Sequence, residues 1–230
     1  MDWSPLWISL NTAIPAAVIT FFLGIYAAQG VIKLNRHTGR FIDALFTMPL
    51  VLPPTVVGFL LLLLLGKSGS LGRLLTGMGI QVIFTRIAAI IAAVVISLPL
   101  MYRSSKAAFE QVDRNLIYAG RTLGMSESRI FWRILIPNAL PGIISGGILA
   151  LARALGEFGA TMMVAGNIAG KTQTMPLAVY MAIQGGNKQE AAVWVIILIA
   201  ISFPMVFLLG RLAGDKRKER VSDRLKEEGL

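Results

Sequence analysis

Arg153 and Glu157 stand four residues apart in the stretch Leu140–Val164, which carries no other charge. At that spacing two side chains share a helix face and can pair. Inside a membrane each such charge costs about 3 kcal/mol or more. Two readings stay open. As a structural ion pair they fix helix packing; as a gate or anion-pathway element, with Gly156 and Thr161 beside them, they offer a guanidinium to an oxyanion. A second chemical-looking segment, Gly166-Asn167-Ile168-Ala169-Gly170-Lys171-Thr172, has its glycines one residue too close for a phosphate-binding P-loop.

Little else suggests chemistry. The chain has no cysteine, and its single histidine, His37, sits in a basic loop. No Ser/His pair or acidic metal cluster is legible, so hydrolysis and metal chemistry lack their parts. Catalytic residues, a metal and a cofactor are not expected. A coupled secondary transporter or channel is a further alternative, but such transporters carry several intramembrane acids or a cation site, and Glu157 is nearly alone.

The elements that hold these residues are membrane helices. Of 230 residues, 55% are hydrophobic and 15% charged, against roughly a quarter charged in soluble domains. Leu6–Ile32, Ala44–Gly66 and Ala191–Gly210 are free of charge and reach the ~20 residues a span needs. Ile87–Tyr102 spans if Arg86 and Arg103 snorkel to the interfaces, and Leu140–Val164 completes about five spans. Thr174–Gly186 is too short and polar for a sixth; Met175–Ile183 within it reads as a short helix or a re-entrant dip. Pro49 and the pair Pro53-Pro54 predict a kink or break in the second span. The first apolar run is too long for a cleaved signal and is expected to stay.

The net charge of +10 falls where orientation demands it. Lys33, Arg36 and Arg40, then Arg103 through Arg133, then Arg211 through Lys226 all lie on one side of five alternating spans. That side is the cytoplasm by the positive-inside rule, which puts the amino terminus outside and the tail 211–230 inside. This distribution explains the charge without nucleic acid. The expected fold is all-α, one polytopic membrane bundle over residues 1–230.

The long cytoplasmic segment, about residues 104–137, contains two short amphipathic helices. Asp113 is a good N-cap for the first, whose apolar positions Leu116, Ala119, Gly120 and Leu123 share a face. Gly124 ends it in the left-handed conformation, Ser126 caps the second, and Pro137 closes that helix or kinks it into the fourth span. Pattern alone fits equally a basic segment lying on anionic headgroups and a hairpin docking in another protein's groove.

Tyr118-Ala119-Gly120, three residues, Gly124, nine residues, then Ile134, Ile136 and Pro137 resembles the "EAA" loop of ABC importer permeases. Tyr118 stands for that pattern's Glu, Gly120 for its second Ala and Ile136 for its Leu, with the spacing intact. The resemblance implies a coupling loop, including Met125 and Ser126, that sits in a cleft of a separate ATPase subunit, which binds the ATP. It also implies a permease homodimer in the inner membrane, in contact with lipid and with a periplasmic or extracellular oxyanion-binding protein. Pro49–Gly58, Ala152–Thr161 and Asn167–Tyr180 are similar to stretches of molybdate permeases, with sulfate/thiosulfate permeases as close relatives. The function implied is ATP-driven oxyanion import, with molybdate favoured and tungstate a companion.

Overall fold

The computed structural model describes residues 2–227, with side chains as far as Leu209. The tail expected at 211–230 therefore lies outside the described side chains. Four helices are long and apolar enough to cross a membrane, and a fifth span is a broken pair. The all-α bundle of about five spans is what the sequence predicts.

Helix α1 (Ser4–Ile32) opens under Asp2, whose carboxylate accepts from the Ser4 amide at 2.9 Å and the Ser4 hydroxyl at 2.6 Å. Its buried face is built of small residues, among them Ser9, Thr12, Ala13, Ala16, Thr20, Gly24 and Ala28. That face meets α5 (Arg86–Glu110), which presents Ala93, Ser97 and Met101 to it, while Ala88, Ala89 and Ala92 cluster with Val57, Ala160 and Val164. In lipid, helix association depends on close backbone approach and interhelical hydrogen bonds rather than on hydrophobic drive. Both devices occur here. A Cβ on Gly24 would lie 2.5 Å from Met101 Cγ, and the Thr20 and Ser97 hydroxyls are 3.1 Å apart.

The second span is two helices, α2 (Arg36–Val51) and α3 (Pro54–Leu65), bent by 113° at Leu52-Pro53. The break expected from Pro53-Pro54 is therefore a sharp turn. Helix α2 also begins earlier than the charge-free run, because Asn35 caps it by accepting from the Thr38 amide at 2.9 Å. After the second span comes α4 (Ser70–Gly77), a short helix. The third span continues eight residues past Tyr102 as part of α5. The basic residues that read as loop are solvated helix there, while Ser105, Ala108 and Phe109 stay buried.

After the cytoplasmic hairpin (α6, Arg114–Thr122; α7, Glu127–Ile130) a π-helical turn, Phe131–Leu135, leads into α8 (Ile136–Leu155). The Ile136 amide reaches back five residues to the Phe131 carbonyl. Pro137 follows at once; its ring conflicts with the carbonyl four residues earlier in an α-helix, and a wider turn relieves that conflict. The hairpin and α8 thus form one rod, Glu127–Leu155.

The fourth span does not run to Val164. It stops at Leu155, and α9 (Gly159–Ala165) restarts after a break at Gly156–Phe158. Helix α10 (Met175–Gln184) is a short apolar helix tied to α1 by the Met175 amide, which donates to Ser9 Oγ at 2.8 Å. Helix α11 (Lys188–Glu227) forms the last span.

A close backbone contact joins α3 to α9. A Cβ on Gly58 would sit 2.7 Å from Ala160 Cα and 3.0 Å from its carbonyl oxygen, atoms that cannot swing aside. Gly58→Ala should therefore cost about 1–3 kcal/mol. Gly30→Ala, on α1 with open space around it, should be neutral or slightly stabilising. Thermal unfolding of the purified protein in detergent distinguishes the two.

Candidate functional site

The cytoplasmic hairpin is defined by its turn. Asp113 caps α6 by accepting from the Asn115 amide at 2.8 Å. At its end Gly124 has φ +73; its amide donates to Arg121 O at 2.9 Å and the Met125 amide donates to Gly120 O at 3.0 Å. This is a Schellman motif, with glycine in the position where a side chain would be strained. Ser126 then caps α7, accepting from the Arg129 amide at 3.4 Å. Across the turn Arg121 donates to both oxygens of Glu127, at 2.7 and 3.2 Å. That bidentate bond raises the Arg121 pKa further above its ordinary value.

The helices close on each other through Gly120, the buried residue of α6. A Cβ there would come within 2.8 Å of Ile134 Cδ1 and 3.3 Å of Ile130 Cγ1. The apolar face expected on α6 is therefore divided. Gly120 turns inward, whereas Leu116, Tyr118, Ala119 and Leu123 are exposed, Tyr118 at 54% and Leu123 at 80%. Met125 and Ile134 are half-buried in the hairpin, and Ser126 and Pro137 are exposed at its two ends. A rigid hairpin with an apolar tip is shaped to enter a groove.

The second constellation lies where the chain breaks. Arg153 occupies the last turn of α8 and Glu157 lies beyond its end at Gly156. The pair is made at 2.7 Å, but not within one continuous helix. The ion pair is made by Arg153 Nη1 on Oε2. The other oxygen, Oε1, accepts from the Ala160 amide at 2.8 Å. Glu157 is thus the cap of α9, a role hidden while the region read as one span. It is 2% exposed and Thr161 is 1% exposed, whereas the Arg153 side chain is 31% exposed and Gly156 is exposed. Within this chain only Arg153 and Gly156 of that set face an open surface. The junction also unites two segments separated by about a hundred residues of chain: a Cβ on Gly159 would come within 3.2 Å of Pro54 and Thr55.

Residues 166–172 hold no cradle for a phosphate. The amides of Lys171, Thr172 and Gln173 all point to the Ile168 carbonyl, and Thr172 Oγ1 accepts from the Ile168 amide at 3.0 Å. A cluster that sequence reasoning missed joins α2 to α5. Asp43 Oδ1 accepts from the Tyr102 hydroxyl at 2.7 Å and from Lys106 Nζ at 2.9 Å, with Phe46 stacked on Tyr102 at 5.0 Å. The signal was an acid, Asp43, immediately before the charge-free run of the second span.

A bundle of broken and whole spans that presents a rigid cytoplasmic hairpin defines a transport permease worked by a separate motor. Comparison with known proteins makes the assignment specific. The chain belongs to the family of binding-protein-dependent transport system inner membrane components, whose pattern matches residues 20–218. It is 41% identical over 208 residues to the putative molybdenum transport system permease protein YvgM of Bacillus subtilis, covering 90% of this chain and 92% of that one. It is also 41% identical over 211 residues to the molybdenum transport system permease protein ModB of Escherichia coli K12, covering 90% and 91%. A probable sulfate transport system permease protein, cysT of Chlorokybus atmophyticus, is 32% identical over 87% of this chain and 70% of its own. The fold superposes on the MetNI methionine ABC transporter in an inward-facing form with a TM-score of 0.72 at 19% identity, over 92% of this chain and 95% of that one. The chain is accordingly a multi-pass inner-membrane permease subunit of an ABC importer and not an enzyme. A substrate-binding protein and a separate ATPase are its partners.

The break itself is testable. Glu157→Ala removes the acceptor of the Ala160 amide and strands a half-buried guanidinium, at a cost of about 3 kcal/mol. Glu157→Gln keeps a carbonyl for that amide and should cost about half as much. Thermal unfolding of both variants in detergent checks the ranking; equal stability would remove the capping role.

Proposed function

We propose that this permease carries molybdate inward as one half of a homodimer, by alternating access driven by the ATPase. The observation that carries the substrate is the 41% identity to two molybdenum permeases across nine-tenths of the chain. The sulfate relative is more distant, so sulfate is the second reading. What supports the homodimer is the single hairpin per chain together with large apolar surfaces left open. No residue of α2 is fully buried, and only 6% of the apolar window of α11 is buried within the chain. Lipid or a second copy must cover these faces.

In this reading Tyr118, Ala119, Leu123 and Gly124 touch the ATPase, while Gly120, Ile134 and the Arg121–Glu127 pair hold their shape. Met125, Ser126 and Pro137 set the turn and the exit. Arg153 is the pathway element. Glu157 spends its carboxylate on the α9 amide and only one edge of the guanidinium, so the remaining N–H groups on the exposed side can attract a tetrahedral oxyanion transiently. Glu157 and Thr161, both buried, serve the pathway by fixing Gly156 and α9.

The test is uptake into proteoliposomes containing permease, its ATPase and its binding protein. Molybdate should accumulate with ATP, and sulfate should not compete at equal concentration; accumulation driven by an ion gradient without the ATPase would refute the reading. Gly124→Pro forces φ near −65° where the turn needs +73 and should lower uptake by about tenfold or more with insertion intact. Undiminished uptake in that variant would refute the docking role.

A further inference from the structure

A cavity of about 190 Å³ opens between the foot of α1 and the coupling hairpin. Its floor is apolar and buried: Phe109, Val112, Ile130 and Phe131. Its rim is charged. Arg121 and Glu127 are paired, Glu127 also feels the charge of Lys33, and the rim as a whole sets Lys33, Arg114 and Arg121 against Glu110 and Glu127, an excess of positive charge. Neither Lys33 nor Arg114 makes an ion pair among the described residues.

The cavity continues an exposed surface. Ile14, Val18, Phe22 and Tyr26 recur every four residues along α1, each about half exposed, and so form one stripe. The stripe descends to Ile32 and Lys33, where α1 ends at the cytoplasmic boundary and the cavity begins. Tyr26 stacks on Phe131 of the floor, ring centroids 6.5 Å apart, so stripe and floor are contiguous. An apolar track that ends in an apolar chamber under two unpaired cations, at headgroup level on the inner leaflet, matches an amphiphilic anion. A soluble oxyanion would gain nothing from the floor, and a neutral lipid nothing from the rim.

We propose that this cavity binds an anionic phospholipid of the inner leaflet, its acyl chain along the α1 stripe and its phosphate between Lys33 and Arg114. Basic pockets at the cytoplasmic ends of membrane helices select such headgroups. The site bridges two elements that otherwise meet only through the floor: Lys33 belongs to the foot of α1, Arg114 to the first turn of α6. A bound lipid braces the coupling hairpin against the bundle, so the leaflet's anionic lipid content sets how firmly the hairpin is held. The inference rests on family membership for orientation and not on the substrate assignment.

The experiment uses the permease–ATPase complex in nanodiscs of phosphatidylcholine doped with photoactivatable phosphatidylglycerol or, separately, photoactivatable phosphatidylcholine. Cross-linked peptides are mapped by mass spectrometry. Phosphatidylglycerol should label the peptides around Ile32 and Ile117 several-fold more than phosphatidylcholine does. Lys33→Gln and Arg114→Gln should each lower that labelling about fivefold, and Arg114→Lys should largely restore it. Inorganic phosphate at millimolar concentration should not compete. Equal labelling by both lipids, undiminished labelling in the two Gln variants, displacement by phosphate, or protection by the ATPase subunit would each overturn the proposal. Labelling is read without transport, so its failure is distinct from failure of the molybdate reading.

Discussion

Within hydrocarbon no water is available to satisfy a backbone N–H or C=O, and every departure from helix must find partners inside the protein. This chain departs twice in its spans, and the arrangement of the bundle follows from how each break is satisfied. At Leu52-Pro53-Pro54 the two prolines contribute no amide, the Leu52 amide returns to Met48 O, and Pro53 O accepts from Val56 and Val57. At Gly156–Phe158 the amides of Gly156 and Glu157 close on Ala152 and Ala154, and the Glu157 carboxylate takes the Ala160 amide. The two breaks are then pressed together through Gly58 and Gly159. The charge inside the membrane is therefore the consequence of a bent chain, and Arg153 is the consequence of the charge.

The same logic explains why the coupling hairpin keeps its shape while departing from its family's pattern. Its geometry depends on Gly124 at φ +73 and on two reversed backbone bonds, none of which involves the side chain at 118. Tyr118 is exposed and can differ without disturbing the turn. The acid missing at that position is not replaced for the partner's use: Glu127, on the facing helix, spends both oxygens on Arg121. The exposed tip of the hairpin is accordingly apolar and aromatic, with Tyr118 and Leu123 on it.

Spans, both caps of the hairpin and its glycine were legible because each depends on local chemistry: charge-free length, an acceptor side chain at a helix start, a residue without Cβ. What was not legible depends on contacts distant in sequence. Residues 104–110 look like a polar loop, yet they are helix because Ser105, Ala108 and Phe109 are buried against the bundle. The end of α8 at Leu155 is not signalled by hydropathy, since Phe158 to Val164 is as apolar as what precedes it; the turn is fixed by α3, about a hundred residues away. The face expected on α6 is divided: Gly120 packs toward Ile134 and Ile130, while Leu116, Ala119 and Leu123 stay exposed. Periodicity finds an apolar stripe and is silent on whether the stripe meets its own chain, another chain or lipid.

The hairpin and the break stand at opposite ends of the same rod. Glu127–Leu155 is 29 residues, about 43 Å at 1.5 Å per residue, enough to cross the bilayer and leave a turn or two in the cytoplasm. One end carries the Arg121–Glu127 clasp and the other carries Arg153, one residue pair from the terminus. Along its length Gly142 and Gly146 lie against Ala108 and Ser104 of α5, where an added Cβ would be 2.7 and 2.5 Å from a neighbour. Contacts that close permit sliding and tilting more readily than interlocked large side chains would. The helical rod runs from Glu127 to Leu155 and ends at the Gly156 break. The π turn at Phe131–Leu135 is the rod's irregular segment, and it sits directly over the floor of the α1 cavity. Whatever occupies that cavity bears on the rod where its hydrogen bonding is least regular, between the docking end and the end that holds Arg153.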